Sequence, residues 1–531
     1  MKKSLITLTA AGAAAILLAG SALAAEGEST FTIALDSDIV ALDPIYAYDF
    51  TTNPVVNQIT ESILKFDTEG SLQPYLASSW EQVDDVTYTY QIRDDVTFSD
   101  GTPMTMDDVL FSVNRNLDPE YGSYLNWMFD SVDSIEQTGD WELTVHLKEP
   151  SVNWQYVLAT TAGHVISKAF YEEHEMDFGT AEGGLLGTGP YVYDSWTSGQ
   201  EIILKKNENY WDKEAVVNMD TLVYKIIQED TTRVMALQTG EVDFTTSTPS
   251  DMLDTLVADE NLNIQTVETL GVLYLAMNTQ RAPFDDVNAR RAVTAALDLA
   301  AIDENIIKEA GDVGGCLPSG LSLLSADEEG WKAYLEGADA ISYDLDAAKE
   351  YLAASEYPDG FSCTLILPEN SLRYSVCLYI QEALKELNID VELVKVSMDE
   401  HTAYQMGQIY DEDGARDYDM LIGGWEADYP DMAGNMEPLL AGYNTGDGGS
   451  NAAVYANDEV DEFLRQSSRI TDPKERTALL TQGMDIINQD CPYVFLSYPY
   501  KQATMNKAFT GYTFNPSWLW NMYFKDIAYA E

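Results

Sequence analysis

Residues 344–395 read DLDAAKEYLAASEYPDGFSCTLILPENSLRYSVCLYIQEALKELNIDVELVK. The apolar spacing changes along this run. It is helical from Asp344 and extended at Thr364-Leu365-Ile366-Leu367. It turns helical again where Val376, Ile380, Ala383 and Leu387 share a face, and a second extended run starts at Val391. Helix, strand, helix, strand in one stretch predicts an α/β architecture. Downstream, Tyr418 to Ile422 predicts a short buried strand, followed by Gly423-Gly424-Trp425. Asp461 to Ile487 is predicted mostly helical, and Tyr512 to Tyr529 is rich in aromatics. Upstream, Phe31 to Leu35, Tyr88 to Arg93 and Trp141 to Leu147 alternate as strands do. Thr105, with Asp108 three residues on, predicts a capped helix reaching Leu117. Leu186 to Pro190 is a break before a strand at Tyr191-Val192-Tyr193. Thr231 to Leu237 and Asp286 to Leu297 predict helices, and Gly311 to Gly320 predicts a loop.

At 531 residues, 45% hydrophobic, the chain is too long for one core and apolar enough to fold into several lobes. The 89 acidic residues against 29 basic ones give a net charge of −60. Such a surface repels phosphate backbones, so nucleic acid is excluded as a partner. It also disfavours anionic lipid.

Lys2-Lys3, an apolar run from Leu5 to Leu18, and Ala22-Leu23-Ala24 read as a secretory leader cleaved after Ala24. Leu18-Ala19-Gly20-Ser21 has the form of a bacterial lipobox with serine in place of the cysteine. The expected location is therefore periplasmic, extracellular or cell-surface associated. An exported chain allows disulfides, and Cys316, Cys363, Cys377 and Cys491 allow three full pairings, which stay open beside free buried thiols.

Catalytic signatures are missing. There is no G-x-x-x-x-G-K-[ST] loop and no G-x-S-x-G elbow. Gly187-Thr188-Gly189 lacks a third glycine, and Pro190 would interrupt the helix that a dinucleotide loop must open. His146, His164, His174 and His401 form no cluster, so no metal site and no cofactor are expected. Binding without chemistry is the expectation, with an exported peptide or glycan hydrolase as the rival.

Six stretches in order, across roughly residues 30–525, resemble the extracellular solute-binding proteins, family 5, of bacterial peptide and nickel importers. They are Ala41-Leu42-Asp43-Pro44 with Glu61-Ser62-Ile63-Leu64; Phe98 to Pro103 with Asp107-Asp108-Val109; and Gly187 to Tyr191. Then come Asn207 to Trp211 with Leu237 to Asp243; Met277-Asn278, Pro283-Phe284 and Arg290-Arg291-Ala292; and Trp425 to Asp431. The resemblance implies a two-lobed, hinge-connected fold of the type II periplasmic-binding-protein kind. A discontinuous domain would hold 25–62, 186–269 and 491–531, with 63–185 inserted, and 270–490 would form the second lobe. It further implies a monomer that closes on a short peptide, then meets permease subunits served by separate ATPase subunits. Oligosaccharide, a nickel complex or another solute are alternative cargoes.

The resemblance also implies a site. Asp428 would pair with a peptide's ammonium, a charge-assisted bond that strengthens in a dry cleft. Trp425 and Glu426 would line the same cleft. Tyr48 and Asp49 would present backbone to the ligand. Arg373 would take the ligand carboxylate, and Asn278 is a family position.

Overall fold

The computed structural model describes residues 28–249, 252–315, 317, 325–412, 414–517 and 519–531. The leader, Ser21 and Cys316 lie outside them, as does part of the segment 311–320.

Twelve strands form one continuous sheet that runs through both halves of the molecule. In the first half, Thr30–Leu35 pairs in parallel with Thr221–Ile226, which continues antiparallel to Glu201–Lys206 and Tyr191–Thr197. In the second half, Gly271–Met277 lies antiparallel to Met420–Glu426. Ser362–Pro368 runs parallel to both Met420–Glu426 and Asp390–Val396.

Two chain runs cross between the halves within this sheet. One is Leu262–Glu268 continuing through Thr269-Leu270 into Gly271–Met277; the other is the long strand Tyr493–Asn506. That strand pairs with the second half up to Pro499, through Gly311–Val313, and with Leu262–Glu268 from Tyr500 onward. The segment Gly311–Val313 is thus a strand, where the sequence reading expects loop. Its partners Ser497 to Pro499 lie far away in the sequence, beyond the reach of local pattern.

The helix–strand–helix–strand reading of 344–395 is realised as Leu345–Ala354, Ser362–Pro368, Ser371–Leu384 and Asp390–Val396. Val376, Cys377, Ile380, Leu384 and Leu387 face the core on one side of the sheet, packed on Leu365, Leu367, Met420 and Ile422. The opposite face carries Val272, Tyr274, Ala276, Leu421 and Phe495. Cys363, Cys377 and Cys491 are buried free thiols.

A separate four-stranded antiparallel sheet, with Ala77–Asp84 and Thr87–Ile92 next to Glu142–Leu147 and Val132–Gly139, forms its own core around Tyr90, Phe98, Val109, Phe129 and Trp154. Its helix, Met106–Asn114, has the capping box expected of Thr105 and Asp108. It stops three residues short of the predicted Leu117, and Arg115 just beyond it forms a buried ion pair with Asp43.

The motif stretches meet here. Glu61 is fully buried and accepts from Thr188 Oγ1 at 2.8 Å, Tyr210 OH at 2.7 Å and Trp211 Nε1 at 2.7 Å. Asn207 Nδ2 donates to Gly189 O at 2.8 Å, and Asn209 Nδ2 donates to Ser99 O at 2.9 Å. Gly187 and Gly189 press on the end of the helix Thr52–Ile59. A Cβ on Gly187 would lie 2.1 Å from Ile59 O, and one on Gly189 would lie 2.4 Å from Gln58 O. The glycines of Gly187-Thr188-Gly189 therefore serve close packing. These motifs build the junction under the four-stranded sheet.

Candidate functional site

The strand Met420–Glu426 begins two residues later than expected and runs through the glycine pair instead of ending before it. The cause lies across the strand. A Cβ on Gly423 would stand 2.6 Å from the Tyr274 ring, and one on Gly424 2.9 Å from Arg373 Nη2. Glycine lets both side chains lie flat on an uninterrupted strand. The C-terminal ends of Ser362–Pro368 and Met420–Glu426 consequently point the same way, toward the crossing at Leu270 and Gly271. Ligand crevices in α/β sheets lie outside such strand ends.

Asp428 sits two residues past this strand end. Its Oδ1 accepts from Tyr48 OH, which comes from the first half, at 2.9 Å. Its carbonyl accepts from Trp520 Nε1 at 2.7 Å. The Tyr48 and Trp520 rings stack, with centroids 6.1 Å apart and planes 17° off parallel. Phe66, Leu270, Pro430, Pro516 and Leu519 close in around the same point, leaving a void of about 10 Å³. That is room for about one water. Crowding by these groups pushes the Asp428 carboxyl up to about 7, partly offset by the Tyr48 hydroxyl. Burial, then the neighbouring Asp428 charge, push the Tyr48 phenol up, so it stays a donor.

Glu426 faces the hinge. Its Oε1 accepts from Leu270 N at 3.1 Å. Burial pushes it up to about 7, against the pull of nearby Lys501 and the Leu270 N–H. Trp425 pairs with Val272 and alternates to the other face of the strand, where it packs against the core; its Nε1 has no partner among the described residues. Arg373 lies in the first turn of Ser371–Leu384, whose N-cap Asn370 accepts from Arg373 N at 2.9 Å. Its guanidinium reaches over Gly424 and has no carboxylate partner among the described residues.

Two expected residues have side chains bonded within the fold. Asp49 Oδ1 accepts from Thr51 N at 2.9 Å, Thr51 Oγ1 at 2.7 Å and Thr52 N at 2.7 Å, so it caps the helix that follows. Asn278 is buried at the far end of Gly271–Met277, where its Nδ2 donates to the Arg416 and Tyr418 carbonyls at 3.3 and 3.0 Å. The fold thus brings Tyr48 to Asp428, with Glu426 two residues back on the strand, while Arg373 lies over Gly424; the Asp49 and Asn278 side chains bond to nearby backbone groups. Trp520, 92 residues from Asp428, carries no signal in the sequence beyond the aromatic richness of its segment.

A larger cavity, of about 450 Å³, is lined by Phe111, Asn114, Arg115, Leu117, Asp118 and Tyr121. Arg115 there is already committed to Asp43. The strand ends and the desolvated acid place the candidate site at Asp428 instead.

The family model described as bacterial extracellular solute-binding proteins, family 5 Middle, matches residues 71–447. The glutathione-binding protein GsiB of Escherichia coli (strain K12) is 28% identical over 512 residues, 96% of this chain and 96% of that protein. DppA of Helicobacter pylori, an ABC transporter-associated periplasmic binding protein solved in complex with the peptide STSA, superposes with a TM-score of 0.78 at 24% identity, covering 95% of this chain and 98% of that one. The oligopeptide-binding protein AppA of Bacillus subtilis, solved with a nonapeptide, gives 0.74 at 24% identity, over 95% and 100% of the two chains. The shared fold is two-lobed.

Proposed function

The chain belongs to the bacterial extracellular solute-binding proteins of family 5, and from that premise we propose that it captures short peptides between its lobes and delivers them to the permease of an ABC importer. The observation that carries this reading is Asp428, an acid held between the halves with a neutral hydroxyl as its partner and a carboxyl pushed up to about 7. An ionised carboxylate in such a place is costly unless a cation meets it. A peptide's ammonium supplies that cation. Arg373, without a carboxylate partner among the described residues, would receive the other end of the ligand. Chain reach keeps Asp428 within roughly 14 Å of Gly424, over which Arg373 lies, which suits a peptide of a few residues. The ligands named for DppA and AppA relatives support the peptide class.

The lobes would separate by bending at Thr269-Leu270 and near Pro499-Tyr500. Those two crossings support a division into 25–62, 186–269 and the C-terminal segment as one domain, with 63–185 inserted and the remainder as second lobe. The protein binds without chemistry, acts as a monomer outside the cytoplasm, and draws on separate ATPase subunits for energy. No helix among the described residues is long and apolar enough to cross a membrane.

The test is mass spectrometry of small molecules released on denaturing freshly purified protein. Peptides of a narrow length range are expected. Sugars or a metal complex would discard the peptide reading and keep the fold. Calorimetry with an N-acetylated peptide isolates the anchor: affinity equal to that of the free peptide would discard Asp428's role.

A further inference from the structure

The void beside Asp428 is bordered by a second acid. Glu426 and Asp428 both line it. Its other walls are largely apolar and come from both halves of the molecule: Leu270 and Pro430 from one, Phe66, Leu519 and Trp520 from the other. Two carboxyls thus face one space with room for about one water. That space is enclosed only while the halves are together. Parting them would take Phe66, Leu519 and Trp520 away and let water reach both acids.

Little positive charge faces the pair. Asp428 meets the Tyr48 hydroxyl at 2.9 Å and lies near the Tyr429 phenol, both neutral. Glu426 Oε1 accepts from Leu270 N at 3.1 Å, and Thr269 lies beside it. Among the described residues the cation facing Glu426 is Lys501, from the strand Tyr493–Asn506. Lys501 is drawn first to Asp36, just past Thr30–Leu35, and only then to Glu426, and it is repelled by Arg233 of the helix Asp230–Thr239. Arg373 reaches over Gly424, two residues before Glu426. Three acids therefore compete for one nearby ammonium. Burial first, and for Glu426 also the Asp428 charge, push both carboxyls up to about 7.

We propose that Glu426 and Asp428 form an electrostatic gate on lobe closure: ionised together, they hold the empty protein open, and a ligand cation brought between the lobes removes the penalty and lets them close. This rests on the reading of the protein as a two-lobed binder of ligands with a positive end, and it adds a reason why occupancy and closure go together. Two carboxylates in one dry space cost desolvation and mutual repulsion. The sign follows from the state each acid prefers. With the lobes parted, each titrates in its ordinary range, near about 4. With them closed, each keeps its proton up to about 7. Closure of the empty protein is therefore fully favoured below about pH 4 and weakens as pH rises to about 7, by up to tenfold per pH unit for each acid. At neutral pH a ligand ammonium stands in for the lost proton, so the loaded protein closes where the empty one does not.

The experiment is X-ray scattering on protein stripped of ligand by unfolding and refolding, in about 0.15 M salt, from about pH 5 to about pH 8.5. Circular dichroism at each pH shows that the samples are folded. The radius of gyration is expected to rise with pH, most steeply between about 5 and 7. In the double variant Glu426→Gln, Asp428→Asn the rise is expected to fall to less than about half. What remains there is the general effect of the net charge of −60 and of His146 and His174, which pair with Glu136 and Asp177 in the first half. Each single variant should fall in between. A flat profile in the wild type would overturn the gate. So would a rise as large in the folded double variant as in the wild type. Should the double variant fail to fold, Glu426→Gln alone decides, and a rise equal to that of the wild type counts against the gate. These results are read without ligand, so the peptide reading stands or falls separately, on the molecules released from the purified protein.

Discussion

Asp428 and Glu426 stand two residues apart, and the fold gives them different work. Asp428 meets a hydroxyl from the opposite lobe, whereas Glu426 holds a hinge amide. Asp428→Asn is expected to weaken peptide binding at least tenfold, about 1.4 kcal/mol, by calorimetry. The pH dependence has a definite sign. The Asp428 carboxyl is pushed up to about 7, above the ordinary carboxylate value of about 3.9. An ammonium binds the ionised form, so affinity should rise by up to tenfold per pH unit between about 5 and 7 and level off above. The same shift means that this group's contribution to ligand-free stability is lost as pH rises from about 4 through 7. A flat affinity profile in wild type, or an unchanged slope in Asp428→Asn, would contradict the assignment. Glu61 acts differently. Thr188, Tyr210 and Trp211 all donate to it and need an acceptor. Glu61→Gln turns an amide N–H toward at least one of them, and a loss of about 2–4 kcal/mol in urea unfolding is expected.

At the scale of elements, the strand Met420–Glu426 carries the site. Its two glycines allow Tyr274 and Arg373 to approach from opposite faces without breaking the ladder. Gly424→Ala places a methyl group 2.9 Å from Arg373 Nη2. The guanidinium must shift, at a cost of about 1–3 kcal/mol in stability. Because Arg373 is the proposed partner of the ligand carboxylate, the variant should also lose the preference for peptides with a free carboxyl terminus over amidated ones. Thermal unfolding and calorimetry with the two peptide forms check both halves.

For the whole molecule, the contacts that bridge the lobes outside the hinge include Tyr48 with Asp428, the stacked Tyr156 and Tyr429 rings at 5.6 Å, Val152 N to Ser468 O at 2.9 Å, and Arg469 with Glu149. The void of about 10 Å³ beside Asp428 is far smaller than a dipeptide, so ligand entry requires the lobes to part. Ligand-free Tyr48→Phe loses one bridging hydrogen bond and should show a larger radius of gyration by X-ray scattering than wild type. Saturating peptide should bring the two to the same value. Identical radii without ligand would show that this bond does not help hold the lobes together.

The sequence by itself determined the α/β class, the order of elements over 344–395, the capped helix at Thr105, and the family. These are local periodicities and short motifs, readable because apolar spacing and caps act within a few residues. It also pointed to Asp428, through the motif that surrounds it. What only the tertiary structure decided are the meetings of distant residues. Glu61 draws together positions near 188 and 210, and Asp428 is met by Tyr48 from 380 residues before and Trp520 from 92 residues after. The Asp49 carboxylate and the Asn278 amide are held by the Thr51 and Thr52 N–H groups and by two backbone carbonyls, partners that only the folded chain reveals. A side chain's role depends on which groups reach it once the chain is closed. No spacing along 531 residues encodes that, because the partners are chosen by packing rather than by neighbours in sequence.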